Sequence, residues 1–275
     1  MMPELPEIET VKRTLSPHLL GRRIEGVELR RAEVVKHPDA GQFAAALRGA
    51  YIQELARRGK YLLIRLQNGA TLAVHLRMTG RLLCVEAERP LKAHTHLIFR
   101  LDDGRELRFS DTRRFGGLWL LQAGERDDCT GMHKLGVEPF DAVFGAEYLQ
   151  QRLGRRNISV KQGILDQSVL AGLGNIYADE ACFAAALLPQ KCCRELSAGE
   201  WQALAAAIPP ILEAAIANNG TTFSDYLDGE GREGQNMPYL NVYGRGGQPC
   251  RNCGAALEKT RVGGRGTVYC PHCQK

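Results

Sequence analysis

Apolar residues near the start of the chain recur with the period of a helix. They fall at intervals of three or four positions, at Ile8, Val11, Leu15 and Leu19. Such spacing places them on one face of a helix, which can then pack against a core. The pattern predicts a helix from Pro6 to Leu19 and a change of structure after it.

The following segments are rich in branched and aromatic residues, and two pairs of them flank a turn dipeptide. The dipeptides Asn68-Gly69 and Asp103-Gly104 are typical of tight β-hairpins. The predicted strands are Lys60–Leu66, Thr71–Arg77, His96–Leu101, Glu106–Ser110 and Gly117–Gln122. Residues from about 20 to 123 are therefore expected to form an antiparallel β domain with a sandwich architecture.

Beyond about residue 135 the apolar period becomes helical again. The predicted helices are Ala146–Leu153, Ser159–Asp166, Ile176–Ala186 and Ala198–Asn218. The glycine-bearing turn from Leu170 to Asn175 opens the third of them. Residues from Thr221 to Tyr239 are glycine-rich and acidic with little periodicity, which predicts a mobile loop.

Two cysteine pairs near the C-terminus predict a metal site. Cys250 and Cys253 form one C-x2-C pair, Cys270 and Cys273 form the other, and 16 residues separate the pairs. This spacing is typical of a closed tetrahedral zinc site with four thiolate ligands, in which no position is left for catalysis. One structural zinc ion is the expected cofactor. The segment Val262–Gly266 is expected to form a hairpin tip, for which a purely structural role and contact with nucleic acid both remain open.

These patterns predict an α+β chain of three domains. A β-sandwich domain with a leading helix is expected over residues 1–134, and a helical domain with the loop over 135–240. The cysteine module follows over 241–275, where six bases accompany a single acid within a chain of formal net charge +5. A small basic module of this kind suits a polyanionic partner.

Composition also indicates the compartment. No apolar run approaches the roughly 18–20 residues of a membrane span, and the first residues lack the bases and apolar stretch of a secretory signal. A cytoplasmic protein without a membrane partner is therefore expected. The five cysteines outside the zinc module are expected to be plain thiols, with redox activity of the adjacent Cys192 and Cys193 as the alternative.

The segment Pro3-Glu4-Leu5-Pro6-Glu7 carries a second chemical signal. A chain-terminal proline is a secondary amine, and α-amino groups have pKa values of about 8, against about 10.4 for lysine. Such an amine is a ready nucleophile for Schiff-base chemistry, and the neighbouring Glu4 can act as general acid and base. The same residues also suit a plain helix start with favourable N-terminal acids, and the segment alone leaves both interpretations open.

Motifs along the whole chain occur together in a characteristic order. They are PELPEIET at 3–10, RRGKYLL at 57–63, HLRMTG at 75–80, DTRRFGG at 111–117, GLGNIYADE at 172–180, VYGRGGQPC at 242–250 and the four-cysteine finger. In this set the sequence resembles the bacterial formamidopyrimidine-DNA glycosylases, 8-oxoguanine DNA glycosylases with abasic-site lyase activity. The resemblance implies a helix–two-turn–helix arrangement for the helical domain and a monomer that binds duplex DNA containing oxidised purines or abasic sites. It also favours function over a plain helix start for the N-terminal motif.

The resemblance implies catalytic roles at the matching positions. Pro3 would attack C1′ of the damaged nucleoside, and Glu4 would assist ring opening and proton transfers before β- and δ-elimination. Glu7 would support the site. Lys60 and Arg265 would grip phosphates near the lesion; an exposed strand lysine is the alternative for Lys60.

Further matches concern DNA contacts. Met78, Arg113 and Phe115 would fill the gap left by a flipped nucleotide, because a base must leave the stack before C1′ is accessible. Buried core positions are the alternative for Met78 and Phe115. Arg113 would hydrogen-bond the orphaned cytosine.

Four more residues match family positions near the DNA. His94 would touch the DNA backbone or be a solvated loop residue. Asn175, at a helix N-terminus, would bind a phosphate, a role compatible with capping. The loop from Thr221 matches the family's lesion-recognition lid, in which Thr221 and Thr222 would contact the base through backbone groups.

One departure concerns the start of the chain. The family's translated sequences begin Met-Pro, whereas Met1 and Met2 both precede Pro3 here. Aminopeptidases need a small second residue, so Met2 would block trimming of a chain started at Met1. Met2 is therefore expected to be the true start, with its removal exposing Pro3.

Two alternatives accompany the family resemblance. One is the endonuclease VIII type, which shares the fold and finger but prefers oxidised pyrimidines; the PELPE start and the pair Arg113 and Phe115 favour the purine enzyme. The other is a DNA-binding protein that has lost its nucleophile, against which Pro3, Glu4 and Lys60 argue.

Overall fold

The computed structural model describes residues 2–275. Met1, on which the hypothesis about the start residue depends, lies outside the described residues. The chain forms two compact units: the first runs to His133 and takes in the later segment Asn218–Gln235, and the second comprises Lys134–Ala217 and Asn236–Lys275. The predicted division into three domains stays a prediction. No helix of the described chain is long and apolar enough to cross a membrane.

The first unit contains two α-helices and nine strands among its described residues. They are α1 (Leu5–Leu19), β1 (Ile24–Leu29), β2 (Val35–His37), α2 (Ala40–Leu47), β3 (Ile52–Arg58), β4 (Tyr61–Leu66), β5 (Thr71–His75), β6 (Gly80–Glu86), β7 (Thr95–Leu101), β8 (Arg105–Asp111) and β9 (Gly117–Leu121). One sheet has the order β1-β7-β8-β6, and the other has the order β2-β9-β5-β4-β3. The α+β prediction is confirmed, although β2 pairs with β9 in parallel, whereas an antiparallel domain was expected.

A single apolar core joins both sheets and α1. The predicted apolar face of α1 is buried, with Ile8, Val11, Leu15 and Leu19 at most 1% exposed. These side chains lie in the same cluster as residues of both sheets, such as Leu62 and Phe99. The predicted helix is confirmed, and it begins one residue earlier, at Leu5. Its packing fixes the N-terminal motif at the edge of this core.

The second unit contains the predicted helices and the finger hairpin. Its elements are α3 (Ala146–Leu153), α4 (Val160–Leu165), α5 (Asn175–Ala184), α6 (Ala198–Ala217), β10 (Glu258–Val262) and β11 (Arg265–Tyr269). The tip between β10 and β11 consists of Gly263 and Gly264, whose φ angles are 55° and 75°. A two-residue turn with both φ angles positive matches the twist of a hairpin and favours glycine.

The segment Asn218–Gln235 has no helix or strand. This agrees with the loop predicted from Thr221 to Tyr239, except that Met237–Tyr239 forms a short 3-10 helix. The segment is nevertheless packed, because Tyr226 and Asp228 are only 4% and 1% exposed. A bridge between Thr221 and Gln235 closes its base. The mobility expected of this loop stays a prediction.

Candidate active site

The N-terminal motif is buried at the first turn of α1. Pro3 is buried, and Glu4 and Glu7 are 2% and 0% exposed. The backbone N–H of Glu4 donates to Glu7 Oε2 over 2.8 Å. The other carboxylate oxygen of Glu7 accepts from the N–H of Thr221 over 2.9 Å. Glu7 thus ties the N-terminal motif to the base of the 218–235 loop.

Lys60 lies in the turn between β3 and β4 rather than within a strand. Arg58 pairs with Tyr61, which leaves Gly59 and Lys60 as the turn residues, and Gly59 has a φ of 55°. Lys60 is 6% exposed, so the alternative of an exposed strand lysine does not describe it. Lys60 therefore places a cation at the end of the sheet where β3 turns into β4.

His75, at the end of β5, is a neutral buried imidazole near this cation. Burial, together with the charges of Arg77 and Lys60, lowers the pKa of His75 to about 3. Its Nδ1 accepts from the N–H of Arg77 over 3.0 Å, so the proton resides on Nε2. His75 was not among the predicted site residues, although a histidine that closes an apolar strand in the motif HLRMTG is a signal for it.

Met78, Arg113 and Phe115 come together at the surface of the first unit. Arg113 Nη1 donates to Met78 Sδ over 3.1 Å, and its guanidinium carbon lies 4.7 Å from the centroid of the Phe115 ring. Phe115 is 53% exposed, and Met78 is half-buried. Phe115 is therefore not a core residue, and the three side chains form a surface cluster, here called the wedge.

The remaining predicted residues of the first unit lie in loops. His94 is exposed, has a φ of 65°, and its ring centroid lies 6.4 Å from that of His96. The hydroxyl of Thr222 donates to the carbonyl of Tyr226 and accepts from the N–H of Gly234. Because the Thr221 N–H donates to Glu7, that group is committed within the protein.

Asn175 and the finger hairpin are joined within the second unit. Asn175 begins α5, and its Nδ2 donates to the carbonyl of Gly266 over 3.0 Å. Gly266 directly follows Arg265, whose side chain is exposed. The structure thus brings two predicted phosphate ligands, Asn175 and Arg265, to one place.

A fully buried ion pair lies beneath them. Lys161 and Asp179 are both 0% exposed, and their charged atoms lie 2.6 Å apart. Lys161 Nζ also donates to the carbonyl of Gly266 and to the hydroxyl of Thr267, while Asp179 Oδ2 accepts from the N–H of Val268. Burial, opposed by Lys161, raises the pKa of Asp179 to about 6. Neither residue was predicted from sequence; a lysine between the buried positions of α4 was the available signal.

The four predicted zinc ligands converge. Their sulfur atoms all lie within 4.8 Å of one another, with 3.5 Å between Cys253 and Cys270 and 3.9 Å between Cys250 and Cys273. Zinc–sulfur bonds of about 2.3 Å in a tetrahedron place sulfur atoms about 3.8 Å apart, so the donor set fits zinc. Each pair forms the same turn: Gly254 N–H donates to Cys250 O, and Gln274 N–H to Cys270 O. The chain thus has a closed structural zinc site.

Family models match three successive parts of the chain. The model described as "Formamidopyrimidine-DNA glycosylase N-terminal domain" matches residues 2–118, and the model for the corresponding H2TH domain matches residues 135–226. A model described as "Zinc finger found in FPG and IleRS" matches residues 247–275. The order of the models follows the order of the motifs.

Curated relatives and solved structures agree with these models. The formamidopyrimidine-DNA glycosylase of Pelotomaculum thermopropionicum is 46% identical over 274 residues, which cover 100% of this chain and 99% of the relative. The crystal structure of the MutM (Fpg) protein of Thermus thermophilus has a TM-score of 0.89 at 38% identity and covers 99% of this chain and 98% of its own. The Lactococcus lactis Fpg bound to DNA containing an abasic site has a TM-score of 0.90 at 33% identity, with 99% of both chains covered. This chain therefore belongs to the formamidopyrimidine-DNA glycosylase family.

Proposed function

We propose that this protein is a DNA glycosylase that excises oxidised purines from duplex DNA and then cleaves the abasic strand. The observation that carries the proposal is the buried cluster of Pro3, Glu4 and Glu7 at the start of α1, in a chain of this family. A mutant of Lactococcus lactis Fpg has been solved with DNA containing Fapy-dG, and Lactococcus lactis Fpg has been solved with DNA containing an abasic site. Those ligands support the same substrates here.

The nucleophile in this proposal is the nitrogen of Pro3 after removal of Met2. The nitrogen lone pair forms a bond to C1′ while the bond from C1′ to the damaged base breaks, and the base leaves with that electron pair and gains a proton. Opening of the sugar ring then gives an iminium ion. Glu4, adjacent in sequence and 2% exposed, exchanges the protons, because a carboxyl within reach of the sugar can act as acid and base.

Strand cleavage follows from the iminium ion. Loss of a proton from C2′ expels the 3′ phosphate by β-elimination, and a second elimination expels the 5′ phosphate. Water then hydrolyses the remaining imine and frees Pro3. Glu7 holds the backbone of Glu4 through the 2.8 Å hydrogen bond at its N–H, which positions Glu4 for these transfers.

The proposed DNA contacts lie on both units. Lys60 in the first unit, and Asn175 and Arg265 in the second, bind phosphates, because ammonium, guanidinium and helix N-terminal groups all favour anions. The wedge of Met78, Arg113 and Phe115 enters the stack in place of the flipped nucleotide. Zinc, when bound, cross-links the finger that carries Arg265 and supplies no bond-breaking chemistry.

Borohydride trapping combined with intact mass tests the proposal. Purified protein is incubated with a duplex containing 8-oxoguanine opposite cytosine in the presence of the reductant, and its N-terminus is determined from its mass. We expect a mature chain that begins at Pro3 and a covalent protein–DNA complex, because the reductant converts the imine to a stable amine.

A chain beginning at Pro3 that gives no complex would contradict the enzyme proposal and leave the non-catalytic DNA-binding alternative. Retention of Met2 would exclude Pro3 as the nucleophile, because its nitrogen would then be an amide.

Oxidised pyrimidines are the second candidate substrate class. A Lactococcus lactis Fpg structure contains oxidised-pyrimidine DNA, at a TM-score of 0.90 and 33% identity to this chain. Cleavage of duplexes with thymine glycol opposite adenine and with 8-oxoguanine opposite cytosine, compared by kcat/KM, separates the two. Faster cleavage of thymine glycol would replace the purine proposal.

A further inference from the structure

The wedge stands on a strained part of the first unit. Arg77 precedes Met78 and has a φ of 53°, Arg114 separates Arg113 from Phe115 and has a φ of 59°, and His94 nearby has a φ of 65°. Residues with a Cβ avoid this left-handed region, so it persists only where other contacts enforce it. The exposed wedge side chains cannot supply such contacts alone. A buried group must hold their backbone.

Asp111, the last residue of β8, is such a group for the loop 112–116, as His75 is for the N–H of Arg77. Asp111 is 1% exposed, and its Oδ1 accepts from the N–H of Arg113 over 3.1 Å and from the hydroxyl of Thr79. Its Oδ2 accepts from the N–H of Gly116 over 2.7 Å. One carboxylate therefore closes the loop 112–116 from both ends and ties it to the residue after Met78.

The backbone of Asp111 reaches the third strained residue. Its N–H donates to the carbonyl of His94 over 3.0 Å, and its carbonyl accepts from His96 Nε2 over 2.8 Å. The loop also packs tightly on the carboxylate, since a Cβ added to Gly116 would lie 3.0 Å from Asp111 Oδ2. All three strained positions therefore adjoin segments that Asp111 holds.

We propose that Asp111 is the positioning residue of the wedge, holding Met78, Arg113 and Phe115 in the exposed arrangement that enters the DNA stack. This proposal rests on the proposed function and deepens it. Because Asp111 is only 1% exposed, it acts through the wedge residues rather than on the DNA itself. Its carboxylate joins two loops that carry the wedge, so that Arg113 keeps its contacts with Met78 and Phe115.

The test variant is Asp111→Asn, and Asp103→Asn is its matched control. Asp103 lies just before the opposite end of β8, where its Oδ1 accepts from the N–H of Arg105 over 3.1 Å, as Asp111 Oδ1 does from Arg113. Both carboxylate oxygens of Asp111 accept hydrogen bonds. In Asp111→Asn the side-chain NH₂ group replaces one of these acceptors and faces a donor. The control removes a carboxylate that closes the turn at the other end of β8, where its ion-pair partners are Arg22 and Arg105 and not the wedge.

A duplex with a non-cleavable tetrahydrofuran abasic analogue and an adjacent 2-aminopurine reports wedge insertion by fluorescence, because unstacking brightens 2-aminopurine. We expect wild type and Asp103→Asn to give the full rise, and Asp111→Asn to lose most of it. Loss of hydrogen bonds to a buried charge further predicts that the Kd of Asp111→Asn for this duplex rises about 10- to 100-fold. A full rise in folded Asp111→Asn, or an equal loss in Asp103→Asn, would overturn the positioning role.

Thr79 supplies a second pair of variants, which carry the test if Asp111→Asn does not fold. The Thr79 hydroxyl donates to Asp111 and accepts from the N–H of Arg113 over 3.0 Å. Thr79→Val removes it and is expected to reduce the fluorescence rise, whereas Thr79→Ser retains it and is expected to keep the rise. A valine variant with the full rise would count against the proposal.

The fluorescence experiment separates this proposal from the proposed function. If wild-type protein unstacks the duplex but fails borohydride trapping, only the enzyme proposal is contradicted. If wild-type protein cuts DNA and Asp111→Asn unstacks the duplex normally, only the positioning role is contradicted. Wild-type protein that traps and cuts DNA but gives no rise would contradict insertion of the wedge, and with it the positioning role, while the enzyme proposal would stand.

Discussion

At the scale of single residues, buried polar side chains organise the backbone around the proposed chemistry. Glu7 accepts hydrogen bonds from Glu4 and Thr221, and Asp111 accepts from Arg113 and Gly116. His75 does the same for Arg77. In each case a side chain without solvent satisfies N–H groups of a segment that carries proposed site residues, because an unsatisfied buried N–H is costly.

His75 gives the first prediction, on acid stability. Its folded-state pKa of about 3 lies below the ordinary value of 6.5, so below pH 6.5 the unfolded chain binds a proton that the folded chain does not. The stability is complete above pH 6.5 and falls as the pH drops toward 3, by up to about 1.4 kcal/mol per pH unit. We expect His75→Asn, whose Oδ1 can accept from Arg77, to lose about 2 kcal/mol less than wild type between pH 7 and pH 5.

Urea unfolding at a series of pH values measures this difference. His133→Asn is the control, because that side chain is exposed and lies in the same unit. An acid dependence in His75→Asn equal to that of wild type would show that His75 is not held neutral by the fold.

At the scale of elements, α4 and α5 hold the finger hairpin through the Lys161–Asp179 pair. Both charges are inaccessible to solvent, and their remaining hydrogen bonds go to Gly266, Thr267 and Val268 of β11. A buried pair is destabilising when only one partner is removed, because the other charge is left uncompensated in the interior. The orientation of β11, and with it Arg265, therefore depends on residues in two helices.

Removal of one partner is the second prediction. We expect Lys161→Met to lower the free energy of unfolding by about 3–5 kcal/mol, and the double variant Lys161→Met with Asp179→Leu to regain part of it. The surface pair Lys191–Glu200, with both side chains 26% exposed, is the control, and Lys191→Met should cost less than about 1 kcal/mol. Thermal or urea unfolding measures all of them; equal losses at both sites would contradict the special role of the buried pair.

Elements with a local sequence signal were predictable, and those without one were not. The hairpin around Asn68-Gly69, α1 and the cysteine pairs each carry their pattern within a short window, so they were found. The strands β1, β2, β3 and β6 and the helix α2 lack a comparable turn dipeptide or a long period and were not predicted individually. The Lys161–Asp179 and Asp111–Thr79 contacts depend on tertiary packing, which a linear pattern does not contain.

At the scale of the whole molecule, the basic finger depends on its metal. The zinc ligands flank β10 and β11, and apolar residues of the finger pack with Phe183 of α5. Without zinc, the four cysteines are no longer cross-linked. The apolar core of this small module is too small to keep it folded on its own. The finger should therefore lose its shape before the rest of the second unit does.

Finger variants give the third prediction, on DNA affinity. We expect Cys253→Ala to weaken binding to lesion duplexes more than Arg265→Ala, since it disrupts the whole hairpin rather than a single cation. Arg265→Ala should also reduce the slope of log Kd against log salt by about 1, because one phosphate contact is lost. Titrations at several KCl concentrations measure both effects. A zinc-stripped protein that binds and cuts normally would contradict this role of the finger.

The return of residues 218–235 to the first unit has a consequence for biosynthesis. Tyr226 belongs to the core of that unit, and the carbonyl of Gly229 accepts from the N–H of Cys84 in β6.

The ribosome adds about 5–20 residues per second, so the roughly 100 residues that separate His133 from Gln235 take about 5–20 s. During that interval the nascent N-terminal unit has Glu7 and a patch of its core uncovered while helices of the other unit are being made. A messenger truncated before residue 235 would therefore yield an N-terminal unit with an unclosed core, a substrate for chaperones and proteases rather than a smaller working protein.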